Sequence, residues 1–234
     1  MKRTLFFLFC TMQITIKELA ARKLALVALL MVPFAFYAAR RSDAGWQGIR
    51  MACMGLSWAV STVSLFSIQT ALPIEPRLRL NGAKAASLYF GRLLGLLVIA
   101  TIVATLYCVV VLLDQDVEST YAIVAALTAS VWISVPLGML VGRLIPREFE
   151  GMLVLITVVG LQTIMDPERD SAKALPLWGI RNFLNYAVEG EGNIRNGVLH
   201  AVGYMIFLSV GGYVAASTAL RSRKHMRYSN QLAK

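Results

Sequence analysis

The chain has 234 residues, 57% of them apolar and only 15% charged, with a mean hydropathy of +0.64 and a formal net charge of +10. This balance excludes an ordinary soluble domain and leaves room for about six membrane crossings of roughly 20 residues each. It also argues against a nucleic-acid-binding protein, because the cations sit at the ends of apolar segments, where they set topology and meet anionic lipid.

Residues 1–23 come first in the chain. Leu5, Phe9, Met12, Ile16 and Leu19 fall on one side of a helix, and Thr11, Glu18 and Arg22 fall opposite. That is the pattern of a helix lying in the interface plane. The basic start and apolar stretch raise a signal peptide, but no A-x-A pattern follows and Lys17, Glu18, Arg22 and Lys23 arrive quickly. Six charge-free runs then predict six spanning helices, at 24–39, 51–74, 93–113, 119–142, 151–165 and 196–220. The first and fifth are short. Flanking Arg and Lys can snorkel to lengthen the first, and Asp166-Pro167 stops the fifth.

Between the second and third spans, Pro73 and Pro76 stop the incoming helix, and the following "RLRLNGAKAASLYFGR" can form a short helix of its own. Arg77, Arg79 and Lys84, interspersed with Leu, either satisfy the positive-inside rule or offer another protein both charge and apolar grip. A bare connection needs only a few residues, so the length of 73–92 favours the second use. Asp114, Asp116 and Glu118 form the tight acidic cluster after the third span; their spacing suits a cation, and a solvated acidic turn is the simpler reading. Residues 166–195 contain "LPLWGIRNFLNYAVEG", which is too apolar for a free loop and fits a short helix re-entering the outer leaflet.

The Lys and Arg residues give the orientation. With the N-terminus inside, the cytoplasmic segments hold 16, among them Arg77, Arg79, Lys84, Arg92, Arg143 and Arg147, and the external segments hold 7. Both termini are therefore expected in the cytoplasm of a bacterial cell.

Inside the spans, Ser57, Ser61 and Ser64 share one helix face, as do Thr101 and Thr105. They offer either a path between two halves of a dimer or hydrogen bonds within one subunit. Gly91-x-x-x-Gly95 and Gly138-x-x-x-Gly142 allow close helix approach. Cys10, Cys53 and Cys108 have neither disulfide nor metal spacing and read as buried apolar residues. His200 reads as an interface residue, and His225 lies beyond the last span.

These features resemble the six-span permease subunits of ABC exporters, the type-2 ABC transporters, over nearly the whole chain. The resemblance rests on "FLFCTMQITIKELAARK" as an elbow helix, on Glu75-x-x-Leu78-Arg79 leading to Gly91-Arg92, on "DQDVEST", and on "DPERDSAKALPLWGIRNFLNYA" before the last span. It implies an all-α permease of a single domain that pairs with itself or a similar chain. It also implies that Glu75, Arg77, Arg79 and Lys84 belong to a coupling helix docked on a cytoplasmic ATPase. The expected role is outward transport of an amphipathic or hydrophobic compound such as a drug, antibiotic, peptide or lipid-like molecule.

The chain has no phosphate-cradling G-x-x-x-x-G-K-[ST] loop, so no cofactor is expected in it; ATP and Mg would bind to the separate ATPase subunit. The alternatives are a secondary transporter or channel, which normally carries ionisable groups in its membrane core, and a membrane-embedded enzyme, which needs a clustered site. Neither feature stands out among these residues, and a membrane scaffold is the remaining option.

Overall fold

The computed structural model describes residues 2–43, 45–145, 147–165, 170–190 and 193–232. All regular structure there is helical: α1 (Lys2–Ala21), α2 (Lys23–Ala39), α3 (Gly45–Ala71), α4 (Glu75–Leu80), α5 (Ala85–Asp114), α6 (Thr120–Leu144), α7 (Glu148–Ile164), α8 (Asp170–Lys173), α9 (Trp178–Glu189) and α10 (Ile194–Leu232). Five stretches are long and apolar enough to cross a membrane: Arg3–Ala21, Gln47–Ala71, Ala85–Asp114, Thr120–Leu144 and Ile194–Arg221. This set differs from the six runs read from the sequence. Lys23–Ala39 is a shorter apolar helix of 17 residues, whereas α1 qualifies by length and composition because Leu5, Phe6 and Phe9 outweigh its few charges.

The bundle is built around α6, which packs against α3, α5, α9 and α10 and buries residues on every side, from Ala122 to Gly142. Apolar side chains gain little from leaving lipid for one another, so close backbone approach at small residues has to hold such helices together. The glycines show where this happens. A Cβ added at Gly138 would collide with the backbone carbonyl of Ser61, and one at Gly142 would lie 2.8 Å from Leu65 O, which fixes α6 against α3. Gly91 and Gly95 receive α1, since added Cβ atoms would lie 2.5 Å from Leu8 O and 2.9 Å from Met12 O. Both G-x-x-x-G pairs therefore join helices within this chain. Gly55 gives α3 its contact with Pro33 of α2, and Gly179 and Gly197 face each other where α9 crosses α10.

One end of the bundle carries α4 and the α6–α7 connection. The other carries the α2–α3 and α5–α6 turns together with α8 and α9. There the Glu118 and Ser119 amides donate to Ala187 O at 3.0 and 3.3 Å, which seats α9 on the α5–α6 turn. Helix α9 buries Ile180, Phe183, Leu184 and Ala187 on one face and ends at Gly190 with φ 68°. This is the burial that its apolar sequence required. The flanking positions 166–169 and 191–192 of the expected re-entrant segment lie outside the described residues, as do the side chains of Arg223, Lys224, His225 and Arg227.

Helix α10 has 39 residues. At 1.5 Å per residue it is about 58 Å long, roughly twice the thickness of a hydrocarbon core. It therefore extends beyond any bilayer that it crosses.

Candidate functional site

Helix α4 is a six-residue helix between two long ones. Pro76 in its first turn needs no hydrogen-bonded amide there, Glu75 complements the N-terminal dipole, and Arg77 and Arg79 occupy the last turn. Gly82, at φ 91°, turns the chain toward α5 in a conformation that a side chain would strain. Arg3 of α1 reaches this turn and donates to Asn81 O at 3.3 Å.

Glu75 does not share the outward face. It is buried, and its carboxylate meets Arg143 of α6 in a two-point ion pair at 2.7 and 2.8 Å. Arg77, Arg79 and Lys84 are exposed, with the large apolar Leu80 between them. The residues grouped from the sequence thus divide into one inward anchor and three outward cations. Arg143, which the sequence shows only as a cation near a span end, is the partner of Glu75 that sequence reasoning missed.

A second buried cation, Arg92, lies nearby. It donates to the carbonyl of Ser67 at 2.6 Å and to its hydroxyl at 2.9 Å, and its guanidinium stands 3.8 Å from Glu18 of α1. Glu18 also accepts from Thr70 at 3.1 Å and from Arg22 at 3.0 Å. Polar contacts therefore tie α1, α3 and α5 together beside α4.

The hydroxyls that could line a path between two halves of a dimer sit in different settings within this chain. Ser61 lies where α6 crosses at Gly138 and donates to Trp58 O at 3.0 Å; Ser64 is equally buried and donates to Val60 O at 2.8 Å. Thr105 is exposed on α5 and bonds the carbonyl of Thr101 at 2.9 Å. Thr101 bonds Leu97 O and accepts from the indole of Trp132 at 3.0 Å, an interhelical bond between α5 and α6.

Ser57 is different. It is fully buried, its hydroxyl has no hydrogen-bond partner among the described residues, and it lines an open-mouthed cleft at the end opposite α4. Arg50 of α3 and Arg181 of α9 also line this cleft, with Trp178 and Leu184 among its apolar walls. Gln162 braces it by accepting from the Leu177 amide at 2.8 Å through its side chain and from Arg50 at 3.4 Å through its carbonyl.

At the same end, Asp114 is engaged rather than freely solvated. It accepts from Arg41 Nε at 2.8 Å, from a second Arg41 nitrogen and from the Tyr37 hydroxyl. The hydrogen bond to this carboxylate holds the Arg41 guanidinium above its ordinary pKa. Among the described residues no three His, Cys, Asp or Glu side chains converge as a metal site would require. Cys53 and Cys108 are buried, Cys10 is partly so, and all three are free thiols. His200 donates from Nε2 to Lys173 O at 3.0 Å and sits between the tilted rings of Trp178 and Tyr204, which joins α10 to the α8–α9 segment.

No protein-family model, no curated protein and no solved structure matches this chain.

Proposed function

We propose that this chain is the transmembrane subunit of an ATP-driven exporter of the type-2 ABC class. In this reading α2, α3, α5, α6, α7 and α10 are the six spans, α1 is the elbow and α8–α9 is the external re-entrant segment. Both termini and α4 face the cytoplasm of a bacterial cell. A second permease subunit, identical or similar, completes the membrane unit, and two cytoplasmic ATPase subunits bind ATP and Mg. The cargo is an amphipathic or hydrophobic compound such as a drug, antibiotic, peptide or lipid-like molecule.

The observation that carries this reading is the construction of α4. A helix pinned from behind by a buried ion pair, with its Arg77 and Arg79 exposed and Lys84 exposed just beyond it, is suited to receive a push from a soluble partner. Exposed cations alone would satisfy the positive-inside rule, but a connection that only returned the chain to the membrane would not need the buried anchor. The placement of α1 supports the elbow, because it meets α5 at Gly91, Arg92 and Gly95, all near the start of that 30-residue helix. Closure of the ATPases would move α4 and rotate the spans between inward and outward openings.

The test is copurification with candidate ATPases. Reversing both charges, Arg77→Glu with Arg79→Glu, removes charge-assisted contacts of about 1.5–3 kcal/mol each and is expected to lower ATPase recovery at least tenfold. Normal recovery, with normal expression and topology, would remove both arginines from the docking surface.

A further inference from the structure

Helix α9 crosses α10 at a contact with no room for a side chain. A Cβ added at Gly179 would lie 2.9 Å from Gly197 O, and one added at Gly197 would lie 3.0 Å from Gly179 O. His200, just beyond this crossing on α10, supplies the polar part of the contact. Its Nε2 bonds Lys173 O at 3.0 Å; because a carbonyl can only accept, Nε2 carries the proton and Nδ1 is the bare nitrogen. Nδ1 is buried and has no hydrogen-bond partner among the described residues. It faces Gly179, where an added Cβ would lie 3.0 Å from it. A second proton on this ring would therefore form a buried N–H with no acceptor in reach among the described residues.

The surroundings do not offset the charge that such a proton brings. From α8, Lys173 turns its carbonyl to the ring, while its ammonium meets Asp170 at 2.7 Å. From α9 the ring meets Trp178 and Gly179, and on α10 it meets Tyr204, whose hydroxyl donates to Ala174 O. The other charged residues of α9 and of the start of α10, Arg181, Glu189 and Arg195, do not act on it. Helix α6, which also packs on α10, has a single charged residue, Arg143, at its other end.

We propose that His200 is a pH-sensitive clasp: protonation at Nδ1 releases the α8–α9 segment from α10 and opens the cleft wall formed by Ala172, Leu175, Leu177 and Trp178. A released imidazole titrates at the ordinary His value of about 6.5, whereas the clasped ring takes a proton only by burying an unpaired N–H. The clasp is therefore at full strength above about pH 6.5 and weakens as pH falls below it, by up to about tenfold in the ratio of clasped to released forms per pH unit. The exporter reading is not needed for it.

Hydrogen exchange of the full-length chain in phosphatidylcholine nanodiscs, read by mass spectrometry over residues 178–189, is the test. It is run at about pH 7.5 and about pH 5.5, either side of the ordinary His value, with rates corrected for intrinsic exchange. Protection of α9 is expected to fall about tenfold at the lower pH, while peptides from α3 and α6 keep theirs. Asp170 does not titrate in this window, because the hydrogen bond from Lys173 holds its carboxyl below its ordinary value. His200→Gln keeps a donor for Lys173 O without titrating, and His200→Ala keeps none; each should show equal protection of α9 at the two pH values, whatever its level. Protection of α9 that does not change with pH in the natural chain, a loss shared by α3 and α6, or a loss that persists in either variant overturns the assignment.

Discussion

Glu75 on α4 and Arg143 at the end of α6 hold each other at 2.7 and 2.8 Å with about 5% of either side chain exposed. Sixty-eight positions separate them, yet the pair decides how a short surface helix is attached to the bundle. Glu75→Ala would leave Arg143 buried without its counter-charge, a change that costs about 3–5 kcal/mol. The expected result is a clear drop in the thermal midpoint of the detergent-solubilised protein. Replacing both residues, Glu75→Leu with Arg143→Met, should recover most of that loss. An unchanged midpoint in the single variant would show that the pair does not hold α4.

Arg92 gives a related expectation at the seam between α1, α3 and α5. Arg92→Met removes the donors to Ser67 and the charge facing Glu18, and is expected to destabilise by about 3 kcal/mol. Because Glu18 also engages Thr70, α1 should loosen without unfolding the rest. Faster tryptic cleavage at Arg22 or Lys23, before any loss of helical signal, is the measurement.

The glycines differ sharply in what surrounds them. Gly138→Ala drives a methyl into the Ser61 carbonyl and should cost several kcal/mol, or about 1–3 kcal/mol if α6 can shift. Gly203→Ala meets nothing within 4 Å and should be neutral or stabilising by about 0.5–1 kcal/mol through helix propensity. Comparable thermal midpoints for the two variants would contradict the close α3–α6 contact.

Ser61→Ala and Ser64→Ala remove only bonds to carbonyls of their own helix and should change stability by less than about 0.5 kcal/mol. If the two hydroxyls serve packing alone, transport of any identified cargo should be unaffected as well. A large transport defect at normal stability would restore them to a path.

Topology can be read from two exposed positions. Asn81→Cys and Asp116→Cys, each with Cys10, Cys53 and Cys108 replaced by Ala, should react with an impermeant thiol reagent from opposite sides of the membrane. Labelling of both from outside intact cells would rule out the six-span arrangement.

Much of this architecture is legible in the residues because the bilayer restricts what apolar segments can do. The runs behind α3, α5, α6 and α10 needed only length and hydropathy, and the apolar face of α9 announced itself by being too greasy for a loop. The G-x-x-x-G spacings showed that helices approach closely, but not which ones. Gly91 and Gly95 turned out to hold α1, whose own apolar length is ambiguous between lying on a membrane and crossing it. The pairings of charges were the least legible part. Glu75 and Arg77 look alike to a count of loop charges, and only the fold turns one in and the other out. Asp114 likewise read as part of a solvated acidic cluster, because its partners Tyr37 and Arg41 are more than seventy positions away.

The central position of α6 has a mechanical consequence. A load applied at α4 enters α6 through Arg143 and cannot be absorbed locally, since α6 is braced by α3, α5, α9 and α10 along its length. Pro136, about two thirds of the way along α6, lacks the amide that would bond the carbonyl one turn back, so the helix ladder is missing one bond there. The eight residues of α6 beyond Pro136 are tied to α4 by Glu75 and locked on α3 at Gly138 and Gly142, and the longer part before it carries α9, so one helix links the short surface helix at one end to the wall of the arginine-lined cleft at the other.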